Sequence, residues 1–155
     1  MSGGLVIGIG NPDCGDDAVG SLVARRLAGC VAPCITVMER SGDMLALIED
    51  WAGYANVVLI DAAAAVVAPG TIHRIDLRRD EIPASLAPAS THAFGVAQAV
   101  GLARALNQLP ARLIAYAIEG TAFLPGAPLS PAVAAAVEAV IPRVIAELTE
   151  DLAHA

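Results

Sequence analysis

Two short, unbroken apolar runs, Leu5–Ile9 and Val57–Ile60, constrain this chain more than anything else in it. The first ends in Gly10-Asn11-Pro12 and the second on Asp61. A strand with one wet face alternates apolar and polar residues, whereas one that is apolar at every position is buried on both faces. Such strands require a sheet covered on each side, and helical spacing supplies the cover. Val19, Val23 and Leu27 recur four apart within Asp16 to Leu27, and Leu45, Ile48 and Ala52 share a face within Asp43 to Tyr54. Ser90 or Thr91 opens a third helix that reaches Asn107 and is stopped by Pro110. Ser130, followed by Pro131, caps a fourth that runs to Leu148. Ile35–Met38, Thr71–Leu77 and Leu113–Ile118 complete a set of strands. No helix fits between Asp61 and Thr71, so the strand at Thr71 cannot follow its predecessor by a standard parallel crossover. The expectation is an α/β fold: a three-layer α/β/α sandwich around a mostly parallel, mixed, five-stranded sheet.

At 155 residues, with no internal repeat, linker or charge block, the chain reads as one domain over 1–155. Its 56% hydrophobic and 16% charged composition excludes disorder for the bulk of it. A mean hydropathy of +0.64 raises the question of a membrane span. The apolar run from Asn56 is broken by Asp61 and ends at Pro69, and Ile82 to Ala103 is interrupted by Pro83, Pro88, His92 and Gln98. Neither offers the roughly 20 clean apolar residues a spanning helix needs. The net charge is −7, with nine arginines and no lysine. A protein that grips phosphates carries a basic face, so neither nucleic acid nor an anionic membrane is an expected partner. The N-terminus has no basic signal-peptide region, and Cys14, Cys30 and Cys34 are odd in number with no C-x-x-C spacing. The chain is expected to be reduced and cytoplasmic, with Cys30 and Cys34 as small apolar filling.

Gly8-Ile9-Gly10 opens like a dinucleotide fingerprint, but Asp13 stands at the third glycine position and Asp16 and Asp17 follow. Three aspartates would repel a pyrophosphate there. Asp16 and Asp17 are candidates to cap the first helix, yet one aspartate suffices, which leaves Asp17 at the carboxyl end of the first strand. That is where open parallel sheets bind ligands. Asp61 closes the most buried strand, an expensive place for a carboxylate without a partner, and the nearest downstream cation is Arg74. His92 stands beside a helix N-terminus, while His73 and His154 look like solvated bystanders. Two hard oxygens and one imidazole from Asp17, Asp61 and His92 suit zinc, nickel or iron with coordination positions left open. No G-x-S-x-G elbow, H-E-x-x-H or P-loop occurs, and carboxylates around Cys14 disfavour a thiolate nucleophile.

These residues carry a resemblance. Gly8-Ile9-Gly10-Asn11, the acidic pair Asp16-Asp17 and Gly20 resemble the N-terminal signature of the hydrogenase maturation proteases. Leu59-Ile60-Asp61-Ala62 is similar to that family's second acidic site, and Thr91-His92 to its histidine site. Ile118-Glu119-Gly120 and Pro125 to Pro131 are similar to its closing loop and last helix. The resemblance implies a phosphorylase/hydrolase-like fold and an endopeptidase. Its implied substrate is the nickel-loaded large-subunit precursor of a nickel–iron hydrogenase, from which a C-terminal extension is removed. Asp17, Asp61 and His92 are then the catalytic and metal-site residues, meeting nickel held by the substrate, with zinc as a possible substitute. Two loops depart from the family pattern: Pro12-Asp13-Cys14-Gly15, and Met38-Glu39-Arg40-Ser41-Gly42, where Glu39 is the available acid. The alternatives are a non-catalytic hydrogenase-assembly factor of the same fold, or a small nucleotide-binding domain.

Overall fold

A computed structural model describes residues 3–41, 43–80 and 91–153, and among these the side chains of 44, 91–95 and 150–153 are left undescribed. The elements follow one another as β1 (Gly4–Ile9), a 3-10 turn (Gly15–Ala18), α1 (Val19–Ala28), β2 (Ile35–Arg40), α2 (Met44–Trp51) and β3 (Asn56–Ala64). β4 (Ile72–Asp76), α3 (Thr91–Ala105), β5 (Arg112–Gly120) and α4 (Pro131–Ala153) complete the chain.

The five strands form one sheet in the order β2-β1-β3-β5-β4. β1, β2, β3 and β5 are mutually parallel, and β4 runs antiparallel against β5. This is the expected mixed α/β sandwich, and the antiparallel edge strand follows from the missing crossover helix before Thr71. Alternation along the strands sorts the core into two layers. Val6, Val58, Ile60, Ile114 and Tyr116 face α1 and α4, packing on Val19, Val23, Val137 and Val144. Leu5, Ile7, Val57, Leu59 and Leu113 face α2 and α3, packing on Leu47, Trp51, Ala99 and Val100. Every residue of β1 is buried, as its unbroken apolar run requires.

Two features differ from the sequence reading. Asp61 does not close β3, which continues to Ala64 because Asp61, Ala62, Ala63 and Ala64 pair in register with β5 residues Ala117 to Gly120. Pairing with β1 does stop at Ile60. Cys30 and Cys34 are exposed, so they do not fill the core.

From β1 the chain crosses outward to β2 on one side and returns to β3 on the other. The reversal of strand order therefore lies between β1 and β3. In an open α/β sheet this is the crevice where ligands bind, at the carboxyl ends of the strands.

Candidate functional site

Asp17 reaches that crevice through a turn built on close backbone approach. Gly8 and Gly20 let α1 settle against β1 and β3: a Cβ on Gly20 would lie 2.5 Å from the carbonyl oxygens of both Ile60 and Ile9. Gly10 has φ +139°, and a Cβ there would come within 2.1 Å of the Asp17 carbonyl oxygen, so only glycine fits this left-handed position. The chain then makes one 3-10 turn that presents Asp17, 5% exposed, above the end of β1. Its Oδ2 accepts the Asn11 N–H at 3.0 Å.

Asp61 sits on the neighbouring strand, one position beyond the last β1–β3 pair. It continues the row of Val57 and Leu59, which faces α2 and α3. Its Oδ1 accepts the N–H of Ala62 at 2.8 Å, and the side chain is half-buried. α3 runs from the carboxyl end of the sheet back to the start of β5, so its first turn, with Thr91 and His92, stands at the same rim and on the Asp61 face. The side chain of His92 lies outside the described residues, as do Ser90, Gly42 and His154. Asp17 thus lies just beyond the end of β1, Asp61 on β3 just past its last pairing with β1, and His92 on the first turn of α3.

Asp16 has a role other than capping. Neither the 3-10 turn nor α1 has a side-chain cap bond. Asp16 is 0% exposed and turns away from Asp17 into the loop between β5 and α4. Its Oδ2 accepts from Thr121 N (2.8 Å), Ala122 N (3.0 Å) and the Ser130 hydroxyl (2.6 Å), while Oδ1 accepts from Ser130 N (2.7 Å). Burial alone would raise its pKa, but the bonds from Ala122, Ser130 and Thr121 together hold it below the ordinary carboxylate value. The adjacent acids differ in their partners: Asp16 ties two loops together, and Asp17 holds the Asn11 N–H beyond the end of β1.

Two further residues at this end escaped sequence reasoning. Glu119, at the end of β5 and 0% exposed, accepts the N–H groups of Val66 and Val67 on one oxygen. Its other oxygen meets His73 Nε2 at 2.6 Å, so His73 is a partner and no bystander. Burial opposes the charge on Glu119; the bonds from His73, Val66 and Val67 outweigh it and lower its pKa. The available signal was an acid closing an apolar strand, the same one that marks Asp61. In register, Asp61, Ala117 and His73 form one row across β3, β5 and β4, with Glu119 two residues along. Arg74 points elsewhere, to Glu147, and Glu39 pairs with Arg25.

Carboxylates and imidazoles are the donors that borderline divalent metals accept. Among the described residues no three such donors gather by themselves.

Comparison with known proteins bears on the family and the fold. The family model described as hydrogenase maturation protease (HycI) matches residues 25–147, a span that includes Asp61 and His92 and begins after Asp17. Among solved structures, the hydrogenase maturating endopeptidase HybD from E. coli superposes with TM-score 0.79 at 25% identity, covering 96% of this chain and 93% of its own. HybD from Thermococcus kodakarensis, a NiFe hydrogenase maturation protease, gives 0.75 at 24%, with 92% and 96% covered. HycI from the same organism gives 0.64 at 19%, with 95% and 92% covered, and these last two are likenesses of fold alone. No curated protein matches the chain.

Proposed function

Because the chain belongs to the hydrogenase maturation protease family and is an endopeptidase of hydrogenase maturation, we propose that its substrate is the large-subunit precursor of a nickel–iron hydrogenase. It removes a C-terminal extension from that precursor after nickel has been inserted. One observation carries the reading: Asp17 follows the carboxyl end of β1, and Asp61 lies on neighbouring β3 one position beyond its last pairing with β1, where the strand order reverses.

In this reading Asp17, Asp61 and His92 meet nickel held by the precursor and so place the cleavage segment over the crevice. A divalent ion held there would supply Lewis-acid chemistry, polarising a scissile carbonyl or activating a water. The protein's own contribution is orientation. Gly10 and the Asn11 N–H fix Asp17, the β3–β5 pairing fixes Asp61, and the helix supplies His92. Zinc shares the required donor preference and is the expected substitute. The exposed thiols of Cys30 and Cys34 favour action in the reducing cytoplasm, and no helix among the described residues is long and apolar enough to cross a membrane.

The test is intact mass. Incubation with a nickel-loaded large-subunit precursor should yield a shortened large subunit and a released peptide. A precursor bound but unchanged in mass would instead establish the assembly-factor alternative.

A further inference from the structure

The exposed large apolar residues are not scattered. Among the described residues they are Leu45 (60% exposed), Val66 (55%), Val67 (74%), Leu106 (55%) and Leu124 (76%). Leu45 follows β2, Val66 and Val67 follow β3, and Leu124 follows β5, so four of these five stand at the carboxyl end of the sheet. In sheet order they surround the carboxyl end of β1 and the part of β3 that carries Asp61.

Val66 and Val67 are also held there. The buried carboxylate of Glu119 accepts both of their N–H groups. The ends of the loop are clamped by Ala65 N to Gly120 O at 3.1 Å and Gly70 N to Glu119 O at 2.7 Å. Leaving two adjacent valines in water forgoes the gain from burying them. Spending a buried charge to fix their backbone makes sense if a partner completes the burial, because a preorganised segment loses less entropy on binding.

Resting on the proposed substrate, we propose that Val66 and Val67, with Leu124 and Leu45, form an apolar collar that docks the folded, metal-loaded precursor. Continuity selects this occupant, since Val66 is five residues beyond Asp61 on the same strand and loop. Charge complementarity does so as well: an acidic centre within an apolar ring fits a protein surface with a cationic, metal-bearing centre and an apolar surround. Glu119 is a positioning residue in this arrangement.

The experiment compares V66S/V67S with L106S, which removes an equally exposed leucine at the opposite end of the sheet. Binding of nickel-loaded precursor to immobilised protein and the kinetics of processing are measured for both. V66S/V67S should weaken binding and raise KM roughly tenfold, with the loss in KM rather than kcat, and L106S should match wild type. Binding by V66S/V67S within about twofold of wild type, or an equal loss in L106S, overturns the collar. So does a wild-type dimer that V66S/V67S dissociates without changing precursor affinity. Failure of wild type to cut sinks the proposed activity instead, and the binding comparison still decides the collar.

Discussion

Buried carboxylates occur at both ends of this sheet, and the two ends neutralise them differently. At the amino end Glu147, on α4, is 6% exposed and takes Arg74, Arg112 and the Tyr116 hydroxyl as partners, the last at 2.8 Å. Arg143 lies over the Tyr116 ring, 5.1 Å from its centroid, and the Asn56 amide donates to the Glu147 carbonyl. At the carboxyl end Asp16 is held by backbone N–H groups and a hydroxyl, and Glu119 by backbone N–H groups and His73. Arginines cancel a charge, while peptide dipoles stabilise it and leave its sign in place. The amino end is therefore a staple between α4, β4 and β5. The carboxyl end keeps the charge of these carboxylates.

The comparison predicts that function and stability separate by end. Asp17→Ala, Asp61→Ala and His92→Ala should each lower precursor processing by roughly a hundredfold or more while thermal unfolding stays near wild type. Single-turnover cleavage followed by mass, beside calorimetry, checks this. A variant that cuts at the wild-type rate removes its residue from the site. Glu147→Ala should do the reverse. Breaking this buried cluster is expected to cost about 3 kcal/mol, and the half-exposed arginines keep that toward the lower end of the range for buried pairs. For a chain of this size the melting temperature falls about 6–12 °C, and the protein that remains folded keeps its processing rate.

Asp16→Ala sharpens the contrast, because it touches both properties. Losing its carboxylate strands the buried N–H groups of Thr121, Ala122 and Ser130 and frees the turn that carries Asp17. The expected cost is about 2–3 kcal/mol, larger than the roughly 1 kcal/mol of a lost helix cap. Processing should also drop at least about tenfold, since a displaced catalytic turn is penalised steeply. Wild-type processing by a stably folded Asp16→Ala protein would show that the loop tie does not position Asp17.

The sheet was legible because burial on both faces leaves unbroken apolar runs in β1 and the first part of β3, and those two strands with the helices around them admit few arrangements. The strand ends were less legible. Ala62-Ala63-Ala64 carries no strand signal of its own and is extended only because β5 pairs with it. Asp17 and Asp61 were singled out from expected strand ends and motif resemblance, although β3 continues three residues past Asp61. The separate duty of Asp16 was not, since its partners lie 105 to 114 residues away in a loop with no local sign of the contact. Likewise His73 and Glu119 are 46 residues apart and meet only through antiparallel β4–β5 pairing.

Acid should erode both ends, and salt should tell them apart. Asp16, Glu119 and Glu147 all have folded pKa values lowered from ordinary values of 3.8, 4.5 and 4.5. A lowered folded pKa gives stability that is complete above the unfolded value and is lost as pH falls through the folded one. Denaturant midpoints should therefore hold from pH 7 to about 5 and decline progressively below about 4.5. Added salt screens the partly exposed arginine pairs of Glu147 more than the enclosed dipole contacts of Asp16. The salt sensitivity of stability should thus diminish in Glu147→Ala and persist in Asp16→Ala; the opposite pattern would break the distinction between the two ends.

The smallest effect is expected at Cys14, although it lies inside the acidic turn. Its contribution runs through the backbone: its carbonyl accepts the Asp17 N–H at 3.1 Å, and its N–H donates to the Asn11 carbonyl at 3.2 Å. Serine preserves both bonds and nearly the same volume. If the carboxyl end works through carboxylates and an imidazole, Cys14→Ser should process precursor within about twofold of wild type. Alkylating the three free thiols should leave most of the turnover intact. Abolished cutting in a folded Cys14→Ser protein that still binds precursor would move the chemistry from the carboxylates to the thiol. The electrostatic difference between the two ends would then describe recognition alone.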